Sequence, residues 1–353
     1  MNVRRGKDWG LPTMIDTEKE VAHEFCSNIE VMSSHFVAAF KLRHKKEVVT
    51  LSDSFFRWMD FRLRYIDPKP RTVHLSKKLH RLLPPSVKRS MHRLFCLIQN
   101  GDDINPYQGK GLIMHHDTSG RNRYNRTDLL WADWGIIHLH LTCKTIPHGK
   151  YFCEPSDWLL FAIVGDDFVA CIDVRPHKET NILSNPDLVQ IAVESWPELL
   201  ERFKMRGIHA PDAPLTAEEH KLFRKSGLMG PVAIGEDVYM GPGMGISTAS
   251  TSIRVTMCMD NIVRFVRELA CLVCDPDSQF QGEVRARACN EVNFQLCITP
   301  LGFAVYEANM DKAWVLPRRG KFAERRDFAD LHDLFAPEWA IKKLQEKCSN
   351  RRN

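Results

Sequence analysis

The stretch DWLLFAIVGDDFVACIDVRP, residues 157–176, decides the fold class. Two runs of aliphatic, aromatic and β-branched residues flank Gly165, Asp166 and Asp167, a short loop of turn-forming residues. That pattern predicts a β-hairpin. Strands joined by so short a connection are antiparallel, because a parallel pair needs a long crossover. The same signal recurs in VAIGEDVYM, residues 232–240, and in VNFQLCITPLGFAVYEA, residues 292–308, which turns at Pro300, Leu301 and Gly302. Hairpins in place of strict strand–helix–strand alternation predict an α+β fold with a mainly antiparallel sheet and packed helices.

Upstream of the first hairpin, WADWGIIHLHLTCK (residues 131–144) reads as a third strand. Alternation puts Ile136, His138, His140 and Thr142 on one face and Ile137, Leu139 and Leu141 on the other. If the three strands are sequential neighbours, the third brings Asp173 and Arg175 near the histidines. In that strand Val169, Cys171, Asp173 and Arg175 read as one face, with His177 just beyond its end.

Two imidazoles, a carboxylate and a guanidinium are the equipment for proton transfer at a phosphate. Imidazoles titrate near neutral pH and serve as base or acid. An arginine fork binds phosphoryl oxygens, and an aspartate fixes a histidine tautomer. The candidate catalytic set is therefore His138, His140, Asp173 and Arg175, with His177 in reserve. The reaction expected is metal-independent cleavage of RNA, with the 2′-hydroxyl attacking the neighbouring phosphate. It calls for no cofactor. Two other readings stay open. The His-x-His pair could hold zinc or iron with Asp173 or His177, although no HExxH or second tight ligand pair accompanies it. Alternatively, the histidines are ordinary polar residues on a half-exposed sheet face.

Residues 17–98 read as mostly helical. SDSFFRWMDFRLRYI, residues 52–66, starts at a Ser or Asp cap and stops before DPKP. A helix after Pro84 and Pro85 would show Lys88, Arg89, His92 and Arg93 near one face. Between Phe61 and Arg126 there are 14 Lys and Arg against 4 Asp and no Glu, a local excess of +10 in a chain of net charge +5. Such an excess points to a polyanion, because several phosphates can be neutralised together. NPDLVQIAVESWPELLERF, residues 185–203, reads as an amphipathic helix bent at Pro197, and DNIVRFVRELACLVC, residues 260–274, as another helix. Three segments follow: a basic, mostly helical region 1–110, an α+β catalytic domain 111–316 and a charged helical tail 317–353.

Two further stretches read as phosphate contacts. HHDTSGRNRYNR, residues 115–126, surrounds Tyr124 with Arg121, Arg123 and Arg126, a composition suited to single-stranded nucleic acid. GPGMGISTASTS, residues 241–252, combines Gly241, Gly243 and Gly245 with hydroxyls ahead of a helix, and Ser247, Thr251 and Ser252 are its candidate anion contacts. It lacks the Gly-Lys-Ser/Thr ending of a Walker A loop. Cys271 and Cys274 sit inside an apolar helix and read as core residues.

A chain of 353 residues, 44% hydrophobic, can bury a full core. Its eleven scattered cysteines and the polar start MNVRRGKDWG lead us to expect a reducing, cytoplasmic setting without a signal peptide. No run reaches the length of a membrane span. The expectation is a cytoplasmic RNA-cleaving enzyme, functionally akin to bacterial toxins and antiviral effectors, with nucleic acid as partner and an oligomeric state the sequence does not reveal. The competing class is a non-catalytic nucleic-acid- or protein-binding module.

Overall fold

The computed structural model describes residues 16–79, 82–114, 117–289, 291–317, 321–322, 326–327 and 331–349. At 46% helix and 18% strand, with antiparallel sheets and several helices, the chain has the α+β fold its hairpins predict. Its described residues form two compact units, one of 16–32 with 260–345 and the other of 33–259 with 346–349. This grouping follows spatial contact and cuts across the sequential segments 1–110, 111–316 and 317–353. Among the described residues no helix is long and apolar enough to cross a membrane.

The larger unit is built on four strands, β1 (Thr72–Leu75), β2 (Ile136–His140), β3 (Trp158–Val164) and β4 (Phe168–Pro176), in the order β1-β4-β3-β2. The β3–β4 hairpin turns at Gly165-Asp166-Asp167 as expected, and β2 pairs antiparallel with β3. The residues WADW do not open β2; they end a short helix, Leu129–Trp134, whose N-cap Asp128 takes the Leu130 and Trp131 N–H groups. A second departure is β1, a strand inside the segment read as helical, which pairs parallel with β4. Four mostly exposed residues carry too little pattern to announce a strand.

β4 is flanked on both sides and is buried from Val169 to Arg175, the pattern of a central strand. Its alternation breaks once. Cys171 is level with Ala162 and Asp173 with Phe161, so Ile172 is the extra residue of a β-bulge. The expected single face of Val169, Cys171, Asp173 and Arg175 is therefore split at Ile172. Ile136, Leu159, Phe161 and Ile172 form one core with Leu188, Val189, Ile191 and Ala192 of the helix Asp187–Ser195. Each of the Val, Leu, Ile and Phe side chains contributes about 1.5–3 kcal/mol on burial. That helix ends at Ser195 and a new turn starts at Pro197, as the bent reading required. Asp53 caps the helix Ser54–Arg64 through the Phe56 N–H at 2.6 Å, and the basic helix Pro85–Asn100 follows the two prolines.

A small sheet, β5 (Lys204–His209), β6 (Val232–Ile234) and β7 (Asp237–Tyr239), completes this unit in the order β5-β7-β6. The β6–β7 turn was legible; β5, with KMRGIH mostly exposed, was not. The smaller unit holds the meander β8 (Phe294–Thr299), β9 (Gly302–Glu307) and β10 (Lys312–Val315). Phe280 packs edge-on against Trp314, ring centroids 5.2 Å apart, and buried Glu307 accepts the Asn293 and Met310 N–H groups at 2.6 Å each.

Candidate functional site

Strand register sets out the site. His138 is level with Phe161 and Asp173, and His140 with Leu159 and Arg175. The strands are sequential neighbours, but β3 holds β2 and β4 about 9.5 Å apart. The fully buried Phe161 ring fills that interval, its centroid 6.4 Å from that of His138. Asp173 and Arg175 therefore do not join the histidines, contrary to the sequence reading. Arg175 Nε donates to Asp173 Oδ2 at 2.8 Å, and its terminal nitrogens reach Glu179 at 3.0 Å and Asp187 at 3.6 Å. Asp173 and Arg175 are both buried, and a buried charge needs its partner. The pair braces the strand and the turn that follows it.

His177 does join. It is exposed just past β4, where its backbone N–H donates to the Asp157 carbonyl at 2.7 Å. Its ring centroid lies 5.7 Å from that of His140, which lies 6.1 Å from that of His138. The three imidazoles form a row along a cavity of about 800 Å³. Gly109, Lys110, Tyr124, Asp128, Lys221, Arg224 and Lys225 also line it.

The environments of the rings differ. Burial lowers the His138 pKa; nearby Asp128 opposes this and His177 adds to it. Its Nδ1 is buried with no hydrogen-bond partner among the described residues. His140 is pushed down to about 4, first by burial and then by its two histidine neighbours. Its Nδ1 accepts the Ser156 N–H at 3.2 Å, which leaves the proton of the neutral ring on Nε2. A Cβ at Gly109 would approach that Nε2 to 3.2 Å, and Gly109 also adopts φ +78°, so glycine keeps the nitrogen uncovered. Both strand imidazoles are neutral at pH 7. Among the described residues no group of three or more His, Cys, Asp or Glu is arranged to hold a metal ion.

Several charges on the wall are already paired. Arg64 binds Asp60 at 2.8 Å, and Arg224 binds Asp133 at 2.7 Å while stacking 3.9 Å over the Trp134 ring. Lys221 donates to Asn181 at 2.9 Å. Lys110 and Lys225 are exposed at the rim.

The expected anion cradle has a different use. Ser247 Oγ and Thr251 Oγ1 bond each other at 2.8 Å, and Ser252 is fully buried. The glycines let this loop cap the helix Leu129–Trp134. Gly243 and Gly245 donate to the Asp133 and Ala132 carbonyls at 3.1 and 2.9 Å, satisfying groups that a helix end leaves open. Arg123 and Arg126 are also committed, to the Thr248 and Ala249 carbonyls respectively. Arg121 is exposed, with its N–H on Glu47, whereas Tyr124 lines the cavity. Lys88, Arg89 and Arg93 are exposed on their helix and do not line it. His115 and His116 lie outside the described residues.

Sequence reasoning missed Asp128, Lys110, Lys221 and Lys225. Asp128 was detectable as a cap, since TDLLW is an Asp ahead of an apolar run. The lysines come from segments distant in sequence, so only the folded chain assembles them. No family model matches this chain, and neither a curated protein nor a solved structure does.

Proposed function

We propose that this cavity cleaves RNA by imidazole acid–base catalysis, the 2′-hydroxyl attacking the adjacent phosphorus. The observation that carries the reading is the row His138–His140–His177, a half-buried neutral ring, a buried neutral ring and an exposed ring, on a cavity rimmed by lysines. In-line displacement puts the entering and leaving oxygens on opposite sides of phosphorus, so base and acid must flank the phosphate. Neutral His138 takes the 2′-hydroxyl proton, and the Asp128 carboxylate stabilises the imidazolium that forms. His140, held neutral, donates its Nε2–H to a non-bridging oxygen, where charge grows in the transition state. His177, in exchange with solvent, protonates the departing 5′-oxygen. The products are a 2′,3′-cyclic phosphate and a 5′-hydroxyl. Lys110 and Lys225 offset the phosphate charge. We assign the activity to the cytoplasm, a compartment consistent with the free thiols of ten described cysteines.

The test is to incubate a labelled, structured RNA pool with the purified protein, with and without EDTA, beside the His138→Ala/His140→Ala variant. The reading predicts EDTA-resistant cleavage that leaves cyclic-phosphate ends and is lost in the variant. EDTA-sensitive cleavage would move the chemistry to a metal. Salt-sensitive binding without cleavage would make the cavity a nucleic-acid-binding site only.

A further inference from the structure

Tyr124 is a large aromatic side chain 56% exposed at the mouth of the cavity. A single exposed tyrosine is ordinary; its mounting is what distinguishes this one. The Asn122 side chain accepts the Tyr124 N–H at 3.1 Å, which closes the turn locally. On either side, Arg123 bonds Ser250 Oγ at 3.2 Å and the Thr248 carbonyl, while Arg126 bonds the Ala249 and Gly120 carbonyls at 2.6 and 3.0 Å. The two arginines that frame the ring spend their guanidinium groups anchoring it. The Lys225 ammonium lies over the ring, 5.7 Å from its centroid, and lines the same cavity. A fixed, exposed aromatic face beside a cation is the pairing that holds an unpaired base and its phosphate.

Resting on the proposed cleavage site, we infer that Tyr124 is its nucleobase platform and that the site takes unpaired nucleotides of single-stranded RNA. A base inside a duplex has both faces covered by its neighbours and cannot lie on the ring. Lys225 meets the phosphate of the stacked nucleotide, and the chain continues from there along the histidine row. Preorganisation by Arg123 and Arg126 removes the ordering cost that a mobile tyrosine would impose.

The experiment uses the intact protein and a short single-stranded 2′-O-methyl oligonucleotide carrying 2-aminopurine, which lacks the attacking hydroxyl. The same strand annealed to its complement is the second probe. The single strand should bind with quenching of the 2-aminopurine fluorescence, and the duplex should show neither. Tyr124→Ala should weaken single-strand binding roughly 5- to 100-fold and abolish quenching, whereas Tyr124→Trp should retain both. A thermal melt verifies that each variant is folded. Absence of single-strand binding, a Tyr124→Ala variant that binds and quenches like the original, or equal binding of the duplex would each overturn the platform. Quenched binding without cleavage of the matching RNA would overturn the proposed chemistry and leave the platform standing.

Discussion

His140 Nδ1 accepts the backbone N–H of Ser156 at 3.2 Å, and this one bond fixes what the imidazole can do. A proton on Nδ1 would meet the Ser156 N–H head-on, so the ring resists becoming imidazolium. Burial first, and then the neighbouring His138 and His177, push its pKa down to about 4. We expect ¹⁵N-resolved NMR at pH 7 to show His140 as the Nε2–H tautomer, with its titration below pH 5. A ring titrating at the usual histidine value would remove its role as a neutral donor.

Three histidines with lowered pKa values, His138, His140 and His220, link stability to pH. Folding pushes both His140 and His220 down to about 4, chiefly through burial, from about 6.5 in the unfolded chain. Below pH 6.5 the unfolded chain takes up protons that the folded chain refuses. Stability is therefore complete above pH 6.5 and falls as pH drops towards 4, by on the order of 2–3 kcal/mol for each of His140 and His220. Urea unfolding followed from pH 7 to pH 4.5 should show a steadily falling midpoint. Replacing His220 should flatten part of that slope.

The buried pair of Asp133 and Arg224, with side chains 2% and 3% exposed, supports the cavity wall. Arg224→Ala removes the guanidinium from both the carboxylate and the Trp134 face, at a cost of about 3–5 kcal/mol. Asp133→Asn/Arg224→Met, which leaves no buried charge, should cost less than Arg224→Ala. Denaturant titrations of the two variants give this comparison directly.

Close approach rather than a turn makes Gly243 necessary. A Cβ there would sit 2.2 Å from the Trp131 carbonyl oxygen and 2.5 Å from that of Ala132. Gly243→Ala should therefore destabilise by about 1–3 kcal/mol. Gly282, inside the helix Gln279–Ala286 with open space around it, gives the opposite sign, Gly282→Ala stabilising by up to about 1 kcal/mol. Paired thermal melts would separate the two effects.

Much of the fold was readable where the pattern is local. The hairpin of β3 and β4 announced itself through Gly165-Asp166-Asp167, and the helix break through Pro197. β1 was hidden because its partner, β4, lies about a hundred residues away. The site was half legible. His138 and His140 follow from strand alternation, but the Phe161 ring that stands between Asp173 and them depends on pairing that no local pattern encodes. For the same reason the 241–252 loop looked like an anion cradle: its glycines announce close approach, but not that the partner is a helix end.

The division of labour between His138 and His177 is the centre of this account, and a leaving-group substitution tests it most directly. RNA with sulfur in place of the bridging 5′-oxygen expels a thiolate, which needs no proton from an acid. The account predicts that His177→Ala cleaves ordinary RNA poorly but regains near-original rates on the sulfur-bridged substrate, while His138→Ala fails on both. Equal rescue of the two variants, rescue of neither, or an original protein inert towards both substrates would contradict it.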